Sequence, residues 1–402
     1  MGVVNPSGAE PLRRPGALGV MLAFGTRPEA IKMLPVLAEL RRRPGLAPLA
    51  VTTGQHGAML AQAVTAFGER IDIALPTLPR GLSLSAIFAR VLTGVTKVLE
   101  RKAPDLVLVH GDTTTALAAA LAAFHLRIPV GHVEAGQRSY DLDRPWPEEL
   151  NRVAVDTMAD LLFAPTDRAA TNLLAEYRAR GRILVTGNTG IDALMAMQAR
   201  LGRDAALAAR VAAALPAFDP AKRLVLVTAH RRESQGAGLA RICDAVAALA
   251  ARGDVEIAWP LHNNPAVRGP VLRALGWRPC VHLLEPLDPA AMVSLLRRVA
   301  LVLTDSGGLQ EEAPALGKPV LVLREVTERP EAVEAGAARL VGTDAAAIVA
   351  QAARLLDDPV AYAAMARPVF PFGDGSASRR IADAIEDWAR TRNAPPALMV
   401  AE

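Results

Sequence analysis

Short apolar runs alternating with longer helical patterns are the strongest constraint on the fold of this 402-residue chain. Each run has three to six residues and lacks apolar–polar alternation, which is typical of strands buried on both faces. We predict strands at Gly19–Phe24, Ala47–Thr52, Leu106–Val109, Val130–Val133, Leu161–Ala164, Arg182–Val185, Leu224–Thr228, Glu256–Trp259, Val281–Leu284, Val299–Leu303, Pro319–Val322 and Arg339–Val341. Strands that alternate with helices predict an α/β fold with parallel sheets and helices on both faces.

The predicted strands are too many for one sheet of ordinary size, so we expect two doubly wound domains that face each other across a cleft. The turn-rich stretch Thr186–Gly190 follows a strand and marks the boundary. We predict a flexible tail over residues 1–17, an N-terminal domain over 18–186 and a C-terminal domain over 187–375. The segment 376–402 is expected to form a helix that returns to the N-terminal domain, followed by a tail.

Composition excludes several classes of protein. Only two cysteines are present, which argues against a disulfide scaffold or a cysteine-based zinc module and favours a reducing compartment, the cytoplasm. The excess of Lys and Arg over Asp and Glu is four charges, and aromatic residues make up 4% of the chain, so we expect no nucleic-acid partner. The apolar stretches are shorter than the ~20 residues of a membrane-spanning helix, so we expect no membrane partner.

Two polar clusters follow strands in the first half of the chain. Arg27 begins a predicted helix and Lys32 lies about one turn further on, so both could clamp an anion. Asp112 lies between a strand and an Ala-rich helix. By itself, Asp112 is better explained as a helix N-cap than as a functional acid, and its neighbours must be weighed with it.

Further acids follow close behind. Glu134 ends the next strand, and Glu148 follows in the loop Arg144–Glu149. Neighbouring strands would bring Asp112 and Glu134 to one sheet edge, and the loop could fold Glu148 over them. Clustered carboxylates repel each other, so the pKa of one of them should rise. A pair with different pKa values can then serve as acid and base. The alternative is three unrelated surface acids.

The second half of the chain carries a histidine and basic residues after a strand. His230 could act as an acid, a base or a hydrogen-bond donor to phosphate. The next residue, Arg231, could clamp an anion. His262, in a later post-strand segment, is a weaker candidate, because a structural role and a functional role explain it equally well.

The segment Leu303–Glu312 predicts a nucleotide-phosphate site. A strand runs into a turn of small residues that opens a helix, whose free N–H groups and positive dipole end attract phosphate. The residues concerned are Ser306, Gly307 and Gly308, and Glu312 could accept hydrogen bonds from ribose hydroxyls. No Walker A, complete dinucleotide-binding or nucleophile-elbow motif is present, and the seven histidines are scattered, so we expect no cofactor and no metal.

In this order, the motifs resemble the non-hydrolysing, bacterial type of the UDP-N-acetylglucosamine 2-epimerase family. The segments that carry the resemblance are Phe24–Leu34, Val109–Thr115, Ile128–Gly136, Trp146–Arg152, Thr186–Leu194, Thr228–Glu233, Leu303–Leu323 and Thr327–Val341. The resemblance implies two Rossmann-like domains of the GT-B type, a UDP-sugar substrate and a homodimer. It also implies reversible C2 epimerisation of UDP-N-acetylglucosamine to UDP-N-acetylmannosamine, by elimination of UDP and its re-addition through 2-acetamidoglucal.

The resemblance assigns roles to matching residues. Asp112, Glu134 and Glu148 correspond to acid–base carboxylates, and His230 to a histidine near the diphosphate and sugar. The matching substrate-binding residues are Arg27, Lys32, Arg231, His262, Ser306, Gly307, Gly308 and Glu312. Family members serve cell-envelope polysaccharide synthesis in the cytoplasm.

Two departures from the family pattern affect regulation and base binding. In many bacterial members Gln-His is followed by Arg and a polar residue of a second, activating substrate site, whereas Gly57 and Ala58 follow here. Activation by substrate is therefore in question, although Gln55, Arg231 and His262 remain candidates for such a site. Met292 stands where an aromatic residue often contacts the uracil, and its adaptable side chain can replace that contact.

Alternative activities remain open on the sequence. A hydrolysing relative would release N-acetylmannosamine and UDP, and another relative would act on a UDP-diacetamido-uronic acid. A GT-B glycosyltransferase would need an acceptor and gives no reason for the three acids. A non-catalytic sugar-nucleotide sensor would not require the full set of proposed catalytic groups.

Overall fold

A computed structural model describes residues 12, 16–55, 57–79, 81–176, 179–231 and 234–393. Most of the predicted tail over 1–17 and the tail after residue 393 lie outside the described residues. The chain divides into two compact units, one up to Ala193 and again from Gly373 onward, the other from Leu194 to Phe372. Each unit is built on a parallel sheet, which confirms the predicted α/β class with two doubly wound sheets.

The first unit contains a seven-stranded sheet in the order β3-β2-β1-β4-β5-β6-β7. Its strands are β1 (Leu18–Phe24), β2 (Leu46–Thr52), β3 (Ile73–Ala74), β4 (Leu106–His110), β5 (Val130–Val133), β6 (Leu161–Ala164) and β7 (Arg182–Val185). Its helices are α1 (Arg27–Arg41), α2 (Gly57–Phe67), α3 (Leu84–Lys102), α4 (Thr114–His125), α5 (Glu148–Met158) and α6 (Asp167–Ala175), with the start of α7 (Thr189–Arg203).

Strand β1 shows why the predicted strands lack alternation. Met21 and Ala23 pack into the core on one face of the sheet, whereas Val20 and Leu22 pack into the core on the other. All four are fully buried. The second of these cores also contains residues of the C-terminal helix α16 (Ala377–Asn393), which belongs to the first unit.

The second unit contains a six-stranded sheet in the order β10-β9-β8-β11-β12-β13. Its strands are β8 (Arg223–Thr228), β9 (Val255–Pro260), β10 (Val281–Leu284), β11 (Leu301–Thr304), β12 (Val320–Val322) and β13 (Ala338–Leu340). Its helices are α8 (Ala205–Ala214), α9 (Ala237–Ala250), α10 (Pro265–Leu275), α11 (Pro289–Arg298), α12 (Gly307–Ala315), α13 (Pro330–Glu334), α14 (Ala345–Asp357) and α15 (Pro359–Met365), with the end of α7.

Helix starts follow the local chemistry of the chain. Thr26 and Glu29 form a capping box at α1, in which the Glu29 carboxylate accepts from the Thr26 N–H at 2.7 Å. At α4 the cap is Thr113, whose hydroxyl accepts from the Ala116 N–H at 3.0 Å. The alternative that Asp112 caps this helix is therefore wrong. None of the described helices is both long and apolar enough to span a bilayer.

Candidate active site

Asp112 and Glu134 follow neighbouring strands of the first sheet. β4 pairs with β5 in a register that sets His110 opposite Val133, so both acids come just past paired strand ends. Glu134 has a φ of 69°, an uncommon conformation for a residue other than glycine, and one that clusters at functional sites. The N–H groups of Glu134 and Ala135 both donate to the Phe163 carbonyl at 3.1 Å, which holds this turn.

The Glu134 carboxylate is surrounded by donors. Lys32 forms an ion pair with it, and the Asn188 side-chain amide donates to it at 2.8 Å. The His110 Nε2 lies 3.5 Å from the same oxygen. The structure thus brings together Lys32 and Glu134, which are 102 positions apart in the sequence. The sequence pattern did not single out Asn188, although this residue lies in the turn-rich stretch that predicted the domain boundary.

Asp112 is held by two residues of α5. The Arg152 guanidinium forms an ion pair with its carboxylate, and the Asn151 amide donates to its backbone carbonyl at 2.8 Å. Arg152 is buried, whereas the Asp112 side chain retains 30% exposure. The outer side of this carboxylate is therefore open to a ligand while its inner side is fixed by a cation.

The two consecutive glutamates at the start of α5 differ in their surroundings. Glu149 is buried and accepts from the N–H groups of Ser139 and Tyr140, each at 3.0 Å. Glu148, the predicted acid, is half-buried in the first turn. Among the described residues, no hydrogen bond joins Glu148 to Asp112 or Glu134.

A buried glutamate links the loop of Arg27 to the loop of Asp112. Arg27 is the first residue of α1, and Glu29 in the same turn accepts from the Thr113 hydroxyl at 2.7 Å. Burial raises the pKa of Glu29, and its hydrogen bonds with Thr26 and Thr113 oppose that shift. Glu29 therefore fixes both loops at one edge of the sheet.

Gln55 lies at this edge too, with its side-chain oxygen accepting from the Thr115 hydroxyl at 3.0 Å. Gly25 lies against the side chains of the same cluster. A Cβ on Gly25 would stand 2.2 Å from the Thr53 hydroxyl oxygen and 2.5 Å from that of Thr115. The close approach of these groups requires glycine here.

In the second unit, buried Asp305 organises the segment that carries His230. Its carboxylate accepts from the N–H groups of both His230 and Arg231 at 2.8 Å. The His230 Nδ1 lies 3.4 Å from its other oxygen, and the His262 ring stacks on His230 with centroids 5.3 Å apart. The structure thus joins His262 to His230. Asp305 was missed as a functional candidate, although it directly follows β11.

The groups around His230 lower its pKa. Burial lowers the pKa of His230, the Asp305 charge raises it, and His262 and Arg231 lower it further. The balance lies below the ordinary value of about 6.5.

We therefore expect Asp305→Asn to lower the pKa of His230 further, because the substitution removes the negative charge that favours the imidazolium. Titration of the ring signals by NMR measures this shift, and His125, which belongs to the other unit, serves as an internal control. A His230 midpoint that rises or stays constant would contradict the electrostatic assignment.

The turn before α12 has the form of an anion site. Ser306 occupies the N-cap position without a side-chain cap bond, and a Cβ on Gly307 would stand 2.5 Å from the Arg329 guanidinium carbon. A Cβ on Gly308 would stand 3.4 Å from the Glu312 carboxylate. Glycine thus lets a guanidinium approach the first turn of the helix, where free N–H groups add to its positive charge.

Arginines concentrate beside this turn. Arg231, Arg324 and Arg329 all contact the Glu328 carboxylate, and Arg329 also donates to Glu311 at 2.7 Å. Burial raises the pKa of Glu328, but the three arginines together lower it well below its usual range. Within the described part of the chain, three guanidinium groups thus gather around Glu328 beside this turn. Among the described residues, no group of three or more His, Cys, Asp or Glu could hold a metal.

Two parallel α/β units, with acids after the strand ends of one and a glycine turn at a helix N-terminus in the other, are typical of the class of Rossmann-like proteins that bind phosphate-bearing small molecules. The model of the UDP-N-acetylglucosamine 2-epimerase family matches residues 38–386. A probable UDP-N-acetylglucosamine 2-epimerase of Ralstonia nicotianae is 51% identical, with 92% of this chain and 99% of that protein aligned. The UDP-N-acetylglucosamine 2-epimerase of Escherichia coli is 48% identical, with 92% and 98% aligned.

A solved structure gives the same result. The crystal structure of the UDP-N-acetylglucosamine 2-epimerase of Neisseria meningitidis, bound to UDP-N-acetylglucosamine, has a TM-score of 0.88 and 43% identity. The match covers 92% of this chain and 99% of that chain. The chain belongs to the UDP-N-acetylglucosamine 2-epimerase family, which confirms the resemblance found in the sequence.

Proposed function

We propose that the protein interconverts UDP-N-acetylglucosamine and UDP-N-acetylmannosamine by inversion at C2 of the sugar. The observation that carries the proposal is the Glu134 carboxylate, held by Lys32 and Asn188 at the strand end next to that of Asp112. Family membership supports the reaction. The presence of UDP-N-acetylglucosamine in the Neisseria meningitidis relative supports the substrate.

The chemistry requires an anion site because C2 of the intact sugar is a poor carbon acid. Departure of UDP with the C1–O electron pair builds positive charge at C1 and makes the C2 proton acidic. Loss of that proton gives 2-acetamidoglucal. Proton return to the opposite face of C2, followed by attack of UDP on C1, completes the inversion. The protein must therefore stabilise a departing diphosphate and move one proton off and onto C2.

The second unit supplies the groups suited to the diphosphate. The first turn of α12, with Ser306, Gly307 and Gly308, offers N–H donors, and Arg231 contributes nearby positive charge. Glu312 is assigned to the ribose hydroxyls. His230, stacked on His262, is assigned to the diphosphate and sugar.

The first unit supplies the groups suited to proton transfer. Asp112 and Glu134 are assigned to the proton work together with Glu148, and Arg27 and Lys32 add positive charge on α1. A carboxylate with fixed donors on one side and an open side, as at Asp112, is suited to exchange a proton with a ligand.

Proton NMR of UDP-N-acetylglucosamine incubated with the protein in D2O tests this function. Epimerisation predicts UDP-N-acetylmannosamine, with deuterium entering at C2. Stoichiometric free UDP and N-acetylmannosamine would replace the proposal by hydrolysis. Turnover only of a diacetamido-uronic acid nucleotide would change the substrate, and turnover only with an added acceptor would indicate a glycosyltransferase.

We also expect simple kinetics, because Gly57 and Ala58 replace the Arg and polar residue of the activating-site motif. Gln55 in addition bonds to Thr115 within the first unit. Initial rates should depend hyperbolically on UDP-N-acetylglucosamine, and the reverse reaction should run without added UDP-N-acetylglucosamine. A sigmoidal curve, or a reverse reaction that requires added UDP-N-acetylglucosamine, would show that activation is retained.

We further propose that the enzyme works as a cytoplasmic homodimer that supplies a sugar nucleotide for cell-envelope polysaccharides. The family resemblance supports this assembly and role. Light scattering of the purified protein tests the dimer, because a mass of 42.4 kDa would correspond to a single chain.

A further inference from the structure

A chain of buried ionisable groups lies behind the strand ends that carry Asp112 and Glu134. His132, on β5, is fully buried, with Nδ1 2.6 Å from the Asp156 carboxylate and Nε2 2.8 Å from the Gly111 carbonyl. A carbonyl and an ionised carboxylate only accept hydrogen bonds, so each ring nitrogen faces an acceptor. The ring therefore connects Asp156, on α5, to the residue before Asp112.

The other oxygen of Asp156 reaches the second loop. It accepts from the Gly136 N–H at 3.2 Å, two residues after Glu134, and from Arg138 at 2.7 Å. Arg138 in turn donates to Glu176 at 2.6 and 3.0 Å. One carboxylate thus contacts the Glu134 loop directly and the Asp112 loop through a single imidazole.

Burial raises the pKa of Asp156, but His132 and Arg138 oppose this and hold it below its usual range. Asp156 is thus ionised at neutral pH, between the His132 ring and the Arg138 guanidinium, and Glu176 also pairs with Arg138. Such a network rarely stabilises a fold more than apolar packing of the same volume would. Its contacts with Gly111 and Gly136, beside the two acids, point to a role in geometry.

We propose that Asp156 and His132 are positioning residues that fix the separation of Asp112 and Glu134. The proposal rests on the function proposed above, because it concerns the alignment of the two acids with C2. Neither residue is assigned contact with the substrate. Misalignment should slow proton transfer and leave substrate binding nearly unchanged, since the diphosphate groups belong to the second unit.

The test compares Asp156→Asn with Asp160→Asn by steady-state kinetics. Asp160 is a matched control because its carboxylate accepts from the Val130 N–H at 3.0 Å, at the other end of β5. We expect Asp156→Asn to lower kcat about 10- to 100-fold with KM within about threefold, as for residues that orient a site from behind. Asp160→Asn should keep kcat within about twofold of the wild type.

A second pair of variants separates positioning from folding. His132→Gln keeps an amide that can donate toward the Gly111 carbonyl, whereas His132→Leu does not, so the glutamine variant should retain the higher kcat at similar KM. Full kcat in a folded Asp156→Asn protein, or a loss expressed only in KM, would overturn the proposal. Failure of both Asp156→Asn and His132→Gln to fold would assign the pair a structural role alone.

Deuterium incorporation by the wild-type protein separates failure of the proposed function from failure of the positioning role. If it incorporates no deuterium at C2 in D2O, the proposed function fails, and the positioning role fails with it. If it turns over normally and the folded variants do too, only the positioning role fails.

Discussion

Replacing Glu134 with glutamine should lower kcat about 10³-fold, the middle of the range for loss of a general acid–base group. That factor corresponds to about 4 kcal/mol in activation free energy. A carboxamide cannot take up the C2 proton at neutral pH. Its NH2 group would also face donors, because Lys32 and Asn188 both donate to this position. The side chain keeps its size, so the fold should persist.

The measurement is the rate of C2 deuterium exchange in D2O, with far-UV circular dichroism to confirm folding. Glu69→Gln is a matched control, because Glu69 is also ion-paired with a basic residue of α1, Arg41. This control should retain at least half of the wild-type rate. Asp112→Asn and Glu148→Gln should resemble Glu134→Gln if all three carboxylates share the proton work. Wild-type exchange in Glu134→Gln would refute its assignment.

The sequence predicted the strand series well because buried parallel strands are continuous apolar runs. Val130–Val133, Leu161–Ala164 and Arg182–Val185 were predicted with the bounds that the structure shows. Short strands near the end of the chain shifted, as β11 begins at Leu301 rather than Val299. β3 was missed because its two residues, one of them exposed, leave no apolar run.

The candidate residues were found because parallel strands place their carboxyl ends at one edge. Their partners could not be found in the same way. Asp305 appears in the sequence as one polar residue in a turn, and only the fold shows that it is buried and bonded to His230 and Arg231. Arg329 lies far from Gly307 in the chain, and their contact depends on how the turn before α12 packs.

Gly136→Ala should cause a large loss of stability. Gly136 has a φ of +84°, where a Cβ costs roughly 1–2 kcal/mol, and that Cβ would stand 2.3 Å from the backbone carbonyl oxygen of Ala169. The oxygen belongs to helix α6 and cannot rotate away as a side chain could. With the strain of moving α6 included, we expect a loss of roughly 3 kcal/mol or more in the free energy of unfolding.

Gly81→Ala separates the steric part of this loss from the backbone part. Gly81 lies in the same unit with a φ of +77°, and among the described residues beyond its chain neighbours a Cβ added there would meet no atom within 4 Å. Its alanine variant should therefore lose only about 1 kcal/mol, from the left-handed conformation alone. At about 2–4 °C per kcal/mol, calorimetry should resolve the two variants clearly. Equal melting temperatures would show that α6 moves to accommodate the added methyl group. The tight packing of α6 against the Glu134 loop would then make no contribution to the stability of this unit.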